Sequence, residues 1–242
     1  MKLIIIRHGD PDYSIDSLTE RGWREAELLS HRLIGMDVRA FYLSPLGRAK
    51  DTASITLKKV NREAVILPWL REFYAPIIDE RTGEQRIPWD WLPLEWTKVD
   101  EYYEKNLWHT TPIMQMGNVG EEASRVYAGL DELLKMHGYE REGQVYRAVH
   151  PNKDTIILFC HFGVECVILG HLIGVSPMVL WHGTCAAPTS VTTLVTEERR
   201  KSIASFRMSS FGDISHLYAA GEEPAFAARF CETYDDLNQR HD

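Results

Sequence analysis

Two short apolar runs, each cut off by the same kind of punctuation, constrain this chain more than any other feature. Residues 3–6 read Leu-Ile-Ile-Ile and stop at Arg7-His8-Gly9-Asp10-Pro11. Thr155–Cys160 reads Thr-Ile-Ile-Leu-Phe-Cys and stops at His161-Phe162-Gly163. Runs this short, β-branched and without polar alternation, predict strands buried on both faces, as in a parallel sheet. Each run delivers a histidine to a strand's C-terminal edge, followed by a loop containing glycine. Open α/β sheets build their sites at those edges.

The segments between the runs have helical spacing. Thr19 has the chemistry of an N-cap, and Trp23, Ala26, Leu29 and Leu33 follow it before Gly35. A strand is expected over residues 40–43, a helix over 47–57 and a short third strand over 65–67. Val126, Leu130, Leu133 and Leu134 mark a helix over 121–137 that ends at Gly138. An apolar helix over 163–174 is read as core-facing and without chemistry. A short hairpin is expected around 145–149, and late strands over 191–195 and 203–208. Strands alternating with helices predict an α/β fold: a three-layer α/β/α sandwich with a mostly parallel central sheet and helices on both faces. We expect a single domain over residues 1–242, interrupted by a cap-like insertion around 73–118. Trp89, Trp91, Trp96 and Trp108 fall in that insertion, and a linker would not carry four tryptophans. They are read as core more readily than as a substrate platform.

Composition narrows the partners. The chain has 27 basic and 35 acidic residues, a net charge of -8, which argues against a broad nucleic-acid surface. A small basic pocket is still compatible with it, because charge acts locally on that scale. No segment reaches the ~20 apolar residues that span a bilayer. Residues 3–6 are too short a run for a signal-peptide core. Cys160, Cys166, Cys185 and Cys231 form no CxxC pair and no zinc spacing, so reduced thiols are expected. These features predict a soluble, cytoplasmic protein with no nucleic-acid or membrane partner.

The histidines gain meaning from their neighbours. Arg7 precedes His8, and Gly9 permits close backbone approach to a ligand. Arg48 opens a helix in Ser44-Pro45-Leu46-Gly47-Arg48-Ala49, and arginine forks suit phosphate or carboxylate oxygens. To these are added Leu18-Thr19-Glu20-Arg21-Gly22, Leu70-Arg71-Glu72, Gly120-Glu121 and Phe159-Cys160-His161-Phe162-Gly163. This ordered set, spread from residue 2 to about 195, resembles the histidine phosphatase superfamily, the phosphoglycerate mutase-like proteins.

The resemblance implies phosphoryl transfer through a phosphohistidine, without metal or cofactor, on a small phosphorylated metabolite. It implies that His8 is the nucleophile and that Arg7, Arg48 and His161 surround the phosphoryl oxygens. Gly9 and Phe162 join the substrate-binding set, and Glu72 is the proton donor and later the base. Glu80 and Glu84 rival Glu72, because the residues around it depart from the family's Gly/Trp pattern. Ser14 stands where relatives carry a phosphate-contacting Asn, which leaves that contact to Asp12 or to backbone amides. Thr52 reads as a cap or packing residue, and Asp10 as a turn residue. His182 and His216 read as structural. A metal reading of His8, His161 and His182 is disfavoured by the adjacent arginines. Phosphomonoester hydrolysis is the leading expectation. A phosphoglycerate mutase is the alternative, weakened because Arg71-Glu72-Phe73-Tyr74-Ala75-Pro76 lacks the mutases' Glu-Arg-His-Tyr-Gly stretch. A non-catalytic phospho-ligand sensor is the third.

Overall fold

The structure is a computed structural model; it describes residues 1–79, 82–225, 231, 233, 236, 238 and 239. Its centre is an eight-stranded sheet. In chain order the strands are β1 (Lys2–Arg7), β2 (Ala40–Leu43), β3 (Val65–Ile66), β4 (Tyr139–Glu142), β5 (Val145–Ala148), β6 (Thr155–Cys160), β7 (Val191–Arg200) and β8 (Ile203–Asp213). Across the sheet they run β3-β2-β6-β1-β7-β8-β5-β4. The two apolar runs of the sequence are therefore adjacent central strands.

The sheet is mixed, which corrects the expectation of a mostly parallel one. β1, β6, β2 and β3 pair in parallel. From β1 outward, β7, β8, β5 and β4 are each antiparallel to the strand before. For two of these four pairs the reason is connection length. Two residues join β7 to β8 and two join β4 to β5, and a tight hairpin can only return antiparallel, whereas a parallel step needs a crossover.

The main helices are α1 (Glu20–Leu33), α2 (Gly47–Val60), α3 (Val119–Met136), α4 (Phe162–Ile173) and α5 (Pro177–Gly183). Thr19 caps α1 by accepting from the Gly22 N–H. Along β1, Ile4 and Ile6 join Ile157 and Phe159 under Leu29 and Leu33 of α1 and Ala53 of α2. Leu3 and Ile5 join Ile156 and Leu158 against Val126 and Leu130 of α3 and Val164 and Val167 of α4. Successive strand residues thus serve opposite layers, which is why these runs are apolar throughout.

The insertion docks on the second of these layers. Trp91, Trp96 and Trp108 are buried in the same cluster as Leu3 and Ile5. Trp108 meets Trp181 edge-on at 5.4 Å, and Trp96 lies 4.8 Å from the His182 ring. Both partners sit on α5. Among the described residues no helix is long and apolar enough to cross a membrane.

Candidate active site

Strand register brings the two histidines together. Arg7 of β1 pairs with Cys160 of β6, so both strands stop at the same height. The His8 N–H then donates to the Cys160 carbonyl at 3.0 Å. The ring centroids of His8 and His161 lie 5.0 Å apart. Both side chains are buried.

His8 Nδ1 lies 2.7 Å from the Gly9 carbonyl oxygen, which can only accept, so the hydrogen sits on Nδ1 and the lone pair on Nε2. Burial pushes the His8 pKa well below the usual histidine value, and the charges of Arg7 and Arg48 push it further. The same causes, with His8 itself, hold His161 neutral. His161 Nε2 meets the Ser44 hydroxyl at 2.7 Å, and Ser44 also accepts from the Leu46 N–H.

The arginines are held from behind. A terminal nitrogen of Arg7 donates to the Ala186 carbonyl, and its guanidinium lies 5.8 Å from the Phe162 ring centroid. Phe162 is buried, so its ring supports Arg7 from inside the protein. Arg48 donates to Asp16 Oδ1 at 2.7 Å, and Asp16 Oδ2 accepts from the Gly47 N–H at 2.6 Å. Asp16 thereby caps α2, whose own N-cap, Leu46, has no side-chain bond. A Cβ on Gly47 would stand 2.0 Å from the Asp16 carbonyl oxygen, so the clamp requires glycine there. Three buried nitrogens in this cluster have no hydrogen-bond partner among the described residues: Arg7 Nε and Arg48 Nε, which can only donate, and His161 Nδ1. Buried donors are rarely left unpaired, and an anion would satisfy these.

Glu72 reaches the cluster from the loop after Leu70. Its Oε1 accepts from the Phe73 and Val164 N–H groups at 2.7 and 3.0 Å, and its Oε2 from Gly163 at 3.3 Å. Burial raises its pKa above the usual carboxylate value, overriding those three donors. The first turn of α4 therefore takes part in the site, which corrects the expectation that this helix carries no chemistry. Gly163 is needed for the approach, because a Cβ there would lie 2.7 Å from Glu72 Oε1 and 2.9 Å from the Trp89 ring.

The remaining sequence candidates fall outside or behind the cluster. Gly9 spends both backbone groups internally: its N–H on Thr52 Oγ1 at 2.9 Å, its carbonyl on His8. Thr52 also donates to the Arg48 carbonyl, so it packs as expected. Ser14 donates to Asp12 on the exposed surface, and neither touches the histidines or arginines. Asp10 accepts from Thr19. Glu84 is exposed and paired with Arg86, and Glu80 lies outside the described residues. His182 is held by Met178 and the Trp91 N–H, and His216 by Thr189. Among the described residues no cluster of three His, Cys, Asp or Glu side chains could hold a metal ion.

Sequence reading missed Ser44 as a partner of His161, Asp16 as the Arg48 clamp, and Glu165. Glu165 lies in the first turn of α4, fully buried, near Thr192 and Arg7. Burial pushes its pKa up to about 7, although Thr192 and Arg7 favour its charge. Glu25, buried under Asp10 and Ala225, is also pushed up to about 7 by burial. Both groups bind protons more tightly folded than unfolded. Their contribution to stability is complete below the unfolded value near 4.5 and is lost as pH rises through about 7. Urea midpoints are expected to fall between about pH 5 and 7, and Glu25→Gln plus Glu165→Gln should flatten that slope. An equally steep slope in the double variant would place the titration elsewhere.

The family model described as the histidine phosphatase superfamily (branch 1) matches residues 3–209. A 2,3-bisphosphoglycerate-dependent phosphoglycerate mutase of Thermoplasma acidophilum is 39% identical over 72 residues, covering 26% of this chain and 36% of that protein. A probable phosphoglycerate mutase of Photorhabdus laumondii is 25% identical over 143 residues, covering 54% of this chain and 62% of that protein. The chain thus spans less than two thirds of the length of these curated relatives. Among solved structures, a phosphoserine phosphatase of Entamoeba histolytica in complex with 3-phosphoglyceric acid superposes with a TM-score of 0.59, at 21% identity, over 89% of this chain and 98% of that one. The mycobacterial glucosyl-3-phosphoglycerate phosphatase superposes with a TM-score of 0.58, at 17% identity, over 87% and 98%. These superpositions establish a shared fold, and the family match runs through every residue of the histidine–arginine cluster. The chain belongs to the histidine phosphatase superfamily, branch 1, and is an enzyme.

Proposed function

We propose that this enzyme hydrolyses small phosphomonoesters by passing the phosphoryl group through His8. The observation that carries the reading is the cluster itself: a neutral histidine with its Nε2 lone pair free, beside two buried arginine donors without acceptors among the described residues. In the first step His8 Nε2 attacks phosphorus and the bond to the ester oxygen breaks. The Glu72 carboxyl gives its proton to the departing alkoxide. In the second step the Glu72 carboxylate takes a proton from water, which attacks the phosphohistidine. The P–N bond breaks and its electrons return to Nε2. Arg7, Arg48 and His161 Nδ1–H hold the equatorial oxygens, where charge collects in transit. In this reading the Ser44 hydroxyl donates to His161 Nε2, and the hydrogen of the neutral ring sits on Nδ1.

The insertion supplies selectivity in this reading. Trp89 stands against Gly163 and Glu72 and donates to the Phe73 carbonyl, so it is the tryptophan placed to face a substrate. The other three pin the insertion to the core. A cytoplasmic location fits the free cysteines. Mutase activity is the second reading, favoured by the names of the curated relatives.

The test is phosphate release from a panel of phosphomonoesters in EDTA, with rapid-quench capture of label. We expect release, and acid-labile, alkali-stable label on the protein. No release from any ester would sink the hydrolase reading. Conversion of 3-phosphoglycerate only with a bisphosphorylated primer would replace it by the mutase. Phosphate-competitive binding without either activity would leave a sensor.

A further inference from the structure

The carbonyl of His8 is held by a strained turn that the sequence gives no reason to expect. Residues 187–190 form a turn closed by the Ser190 N–H on the Ala187 carbonyl at 3.0 Å. Pro188 occupies the second position and Thr189 the third, with φ of +59°. That is the type II pattern, whose third position favours glycine or asparagine. A β-branched residue there is an outlier, and such outliers persist where surrounding structure enforces them.

The same turn wraps the Arg7–His8 step. The Ser190 carbonyl accepts from the Arg7 N–H at 3.2 Å, and the Thr189 N–H donates to the His8 carbonyl at 3.1 Å. The side chain that makes the turn costly is fully used. Thr189 Oγ1 donates to the Pro188 carbonyl at 2.7 Å, which leaves its lone pairs for His216 Nε2 at 3.1 Å. With the hydroxyl hydrogen already spent, His216 must be the donor on that contact. Burial, aided by Arg32 and opposed by Asp213, pushes the His216 pKa down to about 4, so the donor is a neutral imidazole. Both residues are buried.

We infer that Thr189 and His216 are positioning residues for the nucleophile: they lock the 187–190 turn, whose N–H fixes the His8 carbonyl and hence the aim of the His8 ring. This inference rests on the hydrolase reading for what His8 does, but not for where its ring is held. Glycine at position 189 would suit the turn better by conformation, yet it would free the turn from His216. Stability and catalysis should therefore separate at this residue.

The experiment is Thr189→Gly, with His216→Leu and His216→Gln. The glutamine keeps an N–H donor near the Nε2 position. Readouts are the melting temperature, kcat and KM on the best ester, and ring ¹⁵N NMR of His8, assigned by comparison with His8→Ala. Thr189→Gly should melt at or above the wild-type temperature, with kcat down about 10- to 100-fold and KM nearly unchanged, because small misplacements of a reacting group are costly. The His8 ring should change from one Nδ1–H tautomer to an averaged signal. His216→Leu should behave alike, and His216→Gln should restore both the signal and kcat. An unchanged His8 spectrum in Thr189→Gly overturns the assignment, as does an altered spectrum with kcat within twofold of wild type. Glutamine failing where leucine fails overturns the role of His216. The spectrum needs no turnover. A wild-type protein that hydrolyses nothing would therefore refute the hydrolase reading, while the ring signal would still decide the positioning role.

Discussion

Replacing His8 by alanine is expected to remove turnover by about 10⁴-fold or more, the scale seen when a covalent nucleophile is lost. The two arginines, His161 and Glu72 would all remain, so phosphate should still bind. The fold should survive, because the substitution deletes one buried ring and its bond to the Gly9 carbonyl while the strand contacts stay. A melting temperature within about 5 °C of wild type is expected. Phosphate release and covalent label should vanish together. A His8→Ala protein that still accepts label would move the nucleophile elsewhere, with His161 as the next residue to test.

Glu72→Gln is expected to be nearly as damaging, but only where a proton is needed. On alkyl phosphates the loss should be about 10² to 10⁴-fold. On a nitrophenyl ester, whose leaving group departs unprotonated, it should be much smaller. The glutamine can keep its carbonyl oxygen as acceptor for the Phe73 and Val164 N–H groups and loses only the acceptor for Gly163, the longest of the three contacts, so most of the local structure should hold. The pH profile gives the sign independently. Because burial raises the Glu72 pKa, the protonated form needed for the first step persists to a higher pH than for an ordinary glutamate. Rates on alkyl phosphates should fall as pH rises through that raised pKa, and this limb should be absent in the glutamine variant. Equal losses on both ester types, with the limb retained, would assign Glu72 to positioning alone.

The parts of this protein legible in its sequence are those fixed by short-range pattern. His8 and His161 announce themselves because each ends an apolar run, and the end of a buried parallel strand is where an α/β sheet exposes chemistry. Thr19 announces α1 for the same reason, since an N-cap acts within three residues. Asp16 does not, because its value lies in reaching Gly47 and Arg48 across 31 and 32 residues. Glu165 looked like any polar residue on an apolar helix; only packing shows that α4 is enclosed on nearly all sides. The antiparallel half of the sheet is harder to read because the polar ends of the late strands, 196–200 and 209–213, carry no strand pattern, which hides how short their connection is. Their two-residue connection decides the direction. Thr189 was invisible because threonine is a poor sign of a left-handed turn, and the turn exists through its partners.

The shared height of β1 and β6 also sets how the site can fail. The His8 and Cys160 backbones are joined, and they sit at the ends of strands with neighbours on both sides in the middle of the sheet. Amide hydrogens there should exchange only through global opening, whereas those of the exposed residues 13–15 can exchange through local opening. The nucleophile is thus mounted on the last part of the molecule to come apart. Under denaturant, covalent labelling of His8 should disappear at the same concentration as the sheet.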